Sequence, residues 1–154
     1  MIMAKAIEES GFSLTSRSYS EEELSMIRVK FFELLSHYMR MIEDILIRTY
    51  DYISEIPASA NPVMFTQGLA WGGTLKPDEK IGKILMASTS SFGYVGLNEL
   101  QELFNGKSII EDGDFAYETL CFMNDYKDRA KERDNINFAS KKRHFILKSI
   151  STNF

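Results

Sequence analysis

Ser88-Thr89-Ser90-Ser91-Phe92-Gly93-Tyr94-Val95-Gly96-Leu97-Asn98-Glu99-Leu100-Gln101-Glu102-Leu103-Phe104-Asn105-Gly106-Lys107-Ser108 decides how the rest of the chain is read. It divides into a short buried strand, a turn punctuated by glycine, and an amphipathic helix. Phe92, Tyr94 and Val95 favour the strand because aromatic and β-branched side chains pack well on a pleated surface. Gly93 and Gly96 lack a Cβ, which predicts close approach of another backbone. Leu97, Leu100, Leu103 and Phe104 fall on one helical face, with Asn98 or Ser91 as the candidate cap. Asn105-Gly106 supplies the left-handed stop.

Upstream, residues 2–9 predict a short helix ending near Gly11, and the Ser/Thr-rich residues 11–20 predict a loop. Ser20 followed by Glu21, Glu22 and Glu23 is a helix start, since acidic residues favour the positive end of the helix dipole. The helix is expected to cover most of residues 22–54 and to end before Pro57. Phe31, Leu35, Tyr38, Ile42 and Ile45 are its expected buried face. Residues 61–80 show no period, and a structureless stretch of that length is usually functional or packed on a partner. Trp71 lies within it. Asp78 is the candidate cap of a short helix over residues 79–86. Downstream, Asp112 or Asp114 starts a second helix running to about Asp134. Ile136-Asn137-Phe138-Ala139 alternates like a strand. The reading is α/β, mostly helical with a few short strands.

Several of these segments, taken in order, resemble anaerobic (class III) ribonucleoside-triphosphate reductases of the glycyl-radical superfamily. The resemblance rests on Asn61-Pro62, Phe65-Thr66-Gln67-Gly68, Gly72-Gly73, Leu75-Lys76-Pro77-Asp78, Ser91 to Leu97 with the helix after it, and Asn105-Gly106-Lys107-Ser108. It spans about residues 31–139 of a family whose chains are several times longer. It implies a part of the ten-stranded α/β barrel, acting as scaffold and substrate-pocket wall in ribonucleotide reduction for deoxynucleotide synthesis. The alternative is a non-catalytic helical interaction protein that keeps a remnant of that fold. Residues 1–139 are then a partial barrel domain and residues 140–154 a divergent basic tail. In the family a strand like Asn137-Phe138-Ala139 enters a turn of phosphate-binding character, whereas here Ser140-Lys141-Lys142-Arg143 follows. So abrupt a change suggests a frameshift or a truncated gene model, with a tail that packs poorly.

The radical chemistry of the family is not expected from this chain. Gly93-Tyr94 matches the radical glycine's neighbour, but Ser90 stands where that context carries arginine, and Gly93 is expected to be packed rather than reachable. A purified chain given activating enzyme and S-adenosylmethionine should therefore form no glycyl radical. Cys121 lies beside Leu120 and Phe122 and is expected to be a buried structural thiol rather than a thiyl-radical residue. One cysteine cannot build the family's four-cysteine zinc site, and His37 and His144 have no ligand spacing. Asp112, Asp114 and Glu111 suit helix capping better than acid–base chemistry.

Candidate substrate-binding residues are Ser90, Ser91 and Gly93, at the strand-to-helix turn, where the serines and turn amides near a helix N-terminus offer a phosphate cradle; no catalytic or metal-binding residue is named. No cofactor is expected on the chain itself. The resemblance implies for the whole enzyme a glycyl radical made with S-adenosylmethionine, nucleotide effectors and a structural zinc. The implied partners are the remainder of the reductase or its activating enzyme, with nucleotide substrate only in the complete enzyme. A net charge of -4 argues against nucleic-acid binding through bulk charge, and no apolar run is long enough for a membrane span. A single cysteine fits a reducing cytoplasm.

Overall fold

A computed structural model describes residues 1–14, 18–69, 74–85 and 88–134, and the backbone of 138–140. Six α-helices, a short 3-10 helix (Ala58–Ala60) and two strands occur among them: α1 (Ile2–Glu9), α2 (Glu21–Ser54), α3 (Pro62–Phe65), α4 (Gly82–Leu85), β1 (Ser90–Phe92), α5 (Leu97–Asn105), α6 (Asp114–Asp134) and β2 (Phe138–Ser140). The expectations for Trp71, Gly72, Gly73 and residues 141–154 lie outside the described residues.

Helix α2 organises the molecule. Its start is a reciprocal cap: the Ser20 side chain accepts from the Glu23 amide, and the Glu23 carboxylate accepts from the Ser20 amide at 2.9 Å. It runs unbroken to Ser54. Its buried residues are Ile27, Phe31, Leu35, Met39 and Glu43. Of the five predicted, Phe31 and Leu35 are buried and Tyr38 is half-buried, but Ile42 and Ile45 are exposed. The reason is geometric. Steps of four residues advance the face by about 40° each, so the buried stripe winds around the helix. Helix α1 packs on its first half, and α6 meets it from Arg28 to Glu43.

Aromatic side chains join the helices. The Phe104 ring of α5 stacks on Phe115 of α6 at 3.9 Å between centroids. Phe31 of α2 lies 5.2 Å from Phe115, and Phe32 lies 4.9 Å from Phe122. Gln101 is wholly buried, and its Oε1 accepts from the Ala116 amide at 2.9 Å, which satisfies a backbone donor in the first turn of α6.

Backbone hydrogen bonds join the segment after α2 to the residues just before α4. Ala58 N–H donates to the Glu79 carbonyl at 2.8 Å, and Ile81 N–H to the Ile56 carbonyl at 3.0 Å. Asn61 caps α3 through the Met64 amide at 3.2 Å. The described part of this aperiodic stretch is therefore held by its own hydrogen bonds. The helix expected over residues 79–86 is reduced to the four residues of α4.

β1 and β2 pair in parallel, with Ser90 opposite Phe138, Ser91 opposite Ala139 and Phe92 opposite Ser140. A parallel pair needs a crossover, and α5 and α6 supply it. Among the described residues the sheet has these two strands alone.

Candidate strand-end site

The strand ends early. β1 stops at Phe92, which is buried, and the chain leaves the sheet at Gly93. Val95 is 84% exposed, so it is not the buried strand residue that its β-branching predicted. Gly93 is exposed, and a Cβ built on it meets nothing within 4 Å. Among the described residues the close packing expected at Gly93 is not found. Tyr94 turns inward, and burial raises its hydroxyl pKa above the ordinary tyrosine value.

Neither Asn98 nor Ser91 caps α5. The cap position is Gly96 in the left-handed region (φ 80), with no side-chain hydrogen bond. Asn98 instead spans outward: its Oδ1 accepts from the Ile109 amide at 3.1 Å, and its Nδ2 donates to Glu102 at 2.7 Å. Gly106, also left-handed (φ 77), ends the helix as predicted.

Ser90 is half-buried, while Ser91 and Gly93 are exposed, all within four residues at the carboxyl end of β1. β2 is parallel, so its carboxyl end, at Ser140, lies at that same end of the sheet. Ligands of parallel sheets bind at the carboxyl ends of strands. The first turn of α5 carries Glu99, whose Oε2 lies 3.6 Å from where a Gly96 Cβ would stand. A carboxylate there satisfies the helix dipole and opposes a phosphate.

Beneath this end lies a polar cluster that the sequence reading missed. Glu43 is 2% exposed in the middle of α2. The Tyr126 hydroxyl donates to its Oε2 at 2.6 Å, and Arg133 Nη2 donates to its Oε1. Tyr126 also meets the edge of Phe92, the last residue of β1, at 6.2 Å. Burial, then the Glu43 contact, raises the Tyr126 pKa. Burial pulls the Arg133 pKa down, but hydrogen bonding and charge attraction from Glu43 outweigh it and the net direction is up. The signal was available: Glu43 continues the four-residue series 27, 31, 35, 39, and a carboxylate on that series needs a partner.

For Tyr126 the pH sign follows from linkage. A tyrosine whose folded pKa is raised keeps its proton after the unfolded chain has lost its own. Stability is then full below the ordinary tyrosine pKa of about 10 and falls as pH rises above it. Urea unfolding of the wild type should show a decline that begins near there, and Tyr126→Phe should flatten it. An identical alkaline decline in the variant would rule Tyr126 out as its source.

Cys121 is exposed on α6, not buried. Its hydrogen bond raises the pKa of Tyr117, one turn earlier. The α6 surface there is simply uncovered. Asp112 Oδ1 accepts from the Asp114 amide at 3.3 Å, in keeping with its capping role. A half-open cleft of about 600 Å³ lies between residues near Tyr19 and α5, but it shares no residue with Ser90, Ser91 or Gly93. Among the described residues no group of three or more His, Cys, Asp or Glu could hold a metal ion, and a single cysteine does not fit a four-thiolate zinc site. No helix among them is long and apolar enough to cross a membrane.

A model of the anaerobic ribonucleoside-triphosphate reductase family matches residues 19–142. The chain belongs to that family. The match takes in α2, the strand-end turn, α5, α6 and β2, and it leaves α1 outside. It begins before and ends after the 31–139 span that the motifs alone delimit. No curated protein matches the sequence. The family assignment and the mostly helical α/β fold agree with the expectations from sequence.

Proposed function

We propose that the chain is a portion of the barrel of an anaerobic ribonucleoside-triphosphate reductase, contributing scaffold and a wall of the substrate pocket. The observation that carries this reading is the family match over residues 19–142, which contains the parallel strand pair β1–β2. Ser90, Ser91 and Gly93 would form the wall, with two serine hydroxyls to hydrogen-bond a ribose or base edge. The chain works with the remainder of the reductase in the cytoplasm, and the glycyl radical, its activating enzyme and nucleotide effectors belong to that larger assembly. The test is complementation. The chain is combined anaerobically with a reductase lacking the corresponding segment, activating enzyme and S-adenosylmethionine, and deoxynucleotide formation is measured. Formation that depends on the chain supports the reading, whereas no formation with a correctly assembled mixture opposes it.

A second reading, a non-catalytic interaction protein, is favoured by the apolar residues Met41, Ile45 and Tyr52 exposed along α2. It expects binding without rescue of activity.

The chain alone should form no glycyl radical. Gly93 is reachable after all, so this expectation rests on the missing arginine context at Ser90. The check is electron paramagnetic resonance after treatment with activating enzyme and S-adenosylmethionine. A doublet lost in Gly93→Ala would contradict it.

A further inference from the structure

The half-open cleft beside α5 has a mixed lining. Tyr19, Leu24, Leu103 and Phe104 supply its apolar part, and all four are half-buried. Glu99 and Glu102, one turn apart on α5, also line it and are exposed. The C-terminal end of α5, at Asn105 and Gly106, borders it too, and the carbonyls of a helix end carry partial negative charge. Glu21 and Glu22 stand in the same first turn of α2 as Leu24. None of the described residues that line the cleft is basic. Its chemistry suits an occupant that is both apolar and cationic.

We infer that the occupant is this chain's own segment Lys141 to Phe154, docked against the cleft beside α5. Two observations name it. The first is charge and apolar complementarity: Lys141, Lys142, Arg143 and Lys148 flank Phe145-Ile146-Leu147, and no acidic residue occurs among the fourteen. The second is reach. Ser140 stands opposite Phe92 across the strand pair, where neighbouring strands lie about 4.8 Å apart. Phe92 and Leu97, the first residue of α5, are five residues apart in sequence and at most about 18 Å apart in space. The nine residues of α5 add about 12 Å. The far end of α5 is thus within about 35 Å of Ser140, whereas the fourteen residues after Ser140 can extend about 46 Å. Two complementary surfaces in one chain meet at an effective concentration on the order of millimolar, so a modest attraction is enough to fill the cleft. This docking does not depend on the function proposed above.

The test uses the full chain with Cys121→Ser and Ser149→Cys, carrying a nitroxide spin label on the thiol at position 149. Amide signals of Glu102 to Gly106 are compared before and after the nitroxide is reduced. They are expected to be lost to broadening in dilute buffer and to return in about 1 M salt, where the Debye length falls to about 3 Å. The signal of Ser54, about 45 Å along α2 from Leu24, should be unaffected. Glu99→Gln with Glu102→Gln, at two exposed positions, should leave the circular dichroism unchanged and restore the lost signals. Thr152→Cys gives a second label position should the label at 149 itself block docking. Signals that stay sharp with either label, that salt does not restore, or that are lost equally in the double Gln variant overturn the inference. So does the same loss in isotope-enriched chain without label when labelled chain is added, since that contact is between copies. A tail that packs poorly, as the sequence alone suggests, gives the first of these results.

Discussion

Arg133→Met is expected to destabilise the chain by about 3–5 kcal/mol, the range for removing one partner of a buried ion pair. The asymmetry of the pair explains the size. The Arg133 side chain is 48% exposed and can reach water, whereas Glu43 is 2% exposed and cannot. Without the guanidinium, Glu43 keeps only the Tyr126 hydroxyl, and its charge is stranded between α2 and α6. Glu43→Gln should cost less, because the amide oxygen still accepts from Tyr126 and no buried charge remains. The double variant Glu43→Leu with Arg133→Met should recover much of the loss, since it removes both desolvated groups. For a domain of this size the single variant would unfold about 6–20 °C lower. Urea denaturation of all three measures the order. Arg133→Met within about 1 kcal/mol of wild type would mean that water reaches Glu43 and the cluster is not buried as described.

Phe115→Ala is expected to cost a similar amount, about 3–5 kcal/mol. Phe115 is buried and touches Phe104, Phe31 and Phe32, so its loss opens a cavity where α2, α5 and α6 meet. The control is Ile45→Ala, which is as apolar a change but at a position 60% exposed, and should stay within about 0.5 kcal/mol of wild type. If the two variants unfold at the same denaturant concentration, the aromatic junction does not hold the helices together.

Much of the helical frame could be read from local chemistry. Ser20 with Glu23, Pro57, and Asn105-Gly106 are start and stop signals whose effect depends on a few neighbouring residues. The α2 boundaries and the end of α5 therefore came out as read. Burial was harder. Ile42 and Ile45 belong to the apolar stripe by spacing, yet what a helix buries depends on which neighbours reach it. α1 is too short to cover them. The strand end failed for a related reason. Phe92, Tyr94 and Val95 have the same propensity, but only three residues find a parallel partner in β2, and the chain turns at Gly93. Asn98 was read as a cap because its side chain suits one, but the left-handed Gly96 took that place and freed Asn98 to bind Ile109 and Glu102. Cys121 looked buried from its apolar neighbours in sequence, which on a helix point in different directions. At the candidate site, Ser90, Ser91 and Gly93 are adjacent in sequence and so were found together. Glu43, Tyr126 and Arg133 come from two helices and could be joined only through the fold.

The proposal that this chain is part of a reductase barrel is tested most directly at β1. Among the described residues β1 pairs with β2, and in a barrel its other side takes a further strand. Amide hydrogen exchange across Ser90–Phe92 is measured for the chain alone and for the chain mixed with a reductase lacking the corresponding segment. The account expects exchange there to slow on mixing, as β1 gains a further neighbouring strand. Exchange unchanged at β1 in a mixture where the two components demonstrably bind would contradict it.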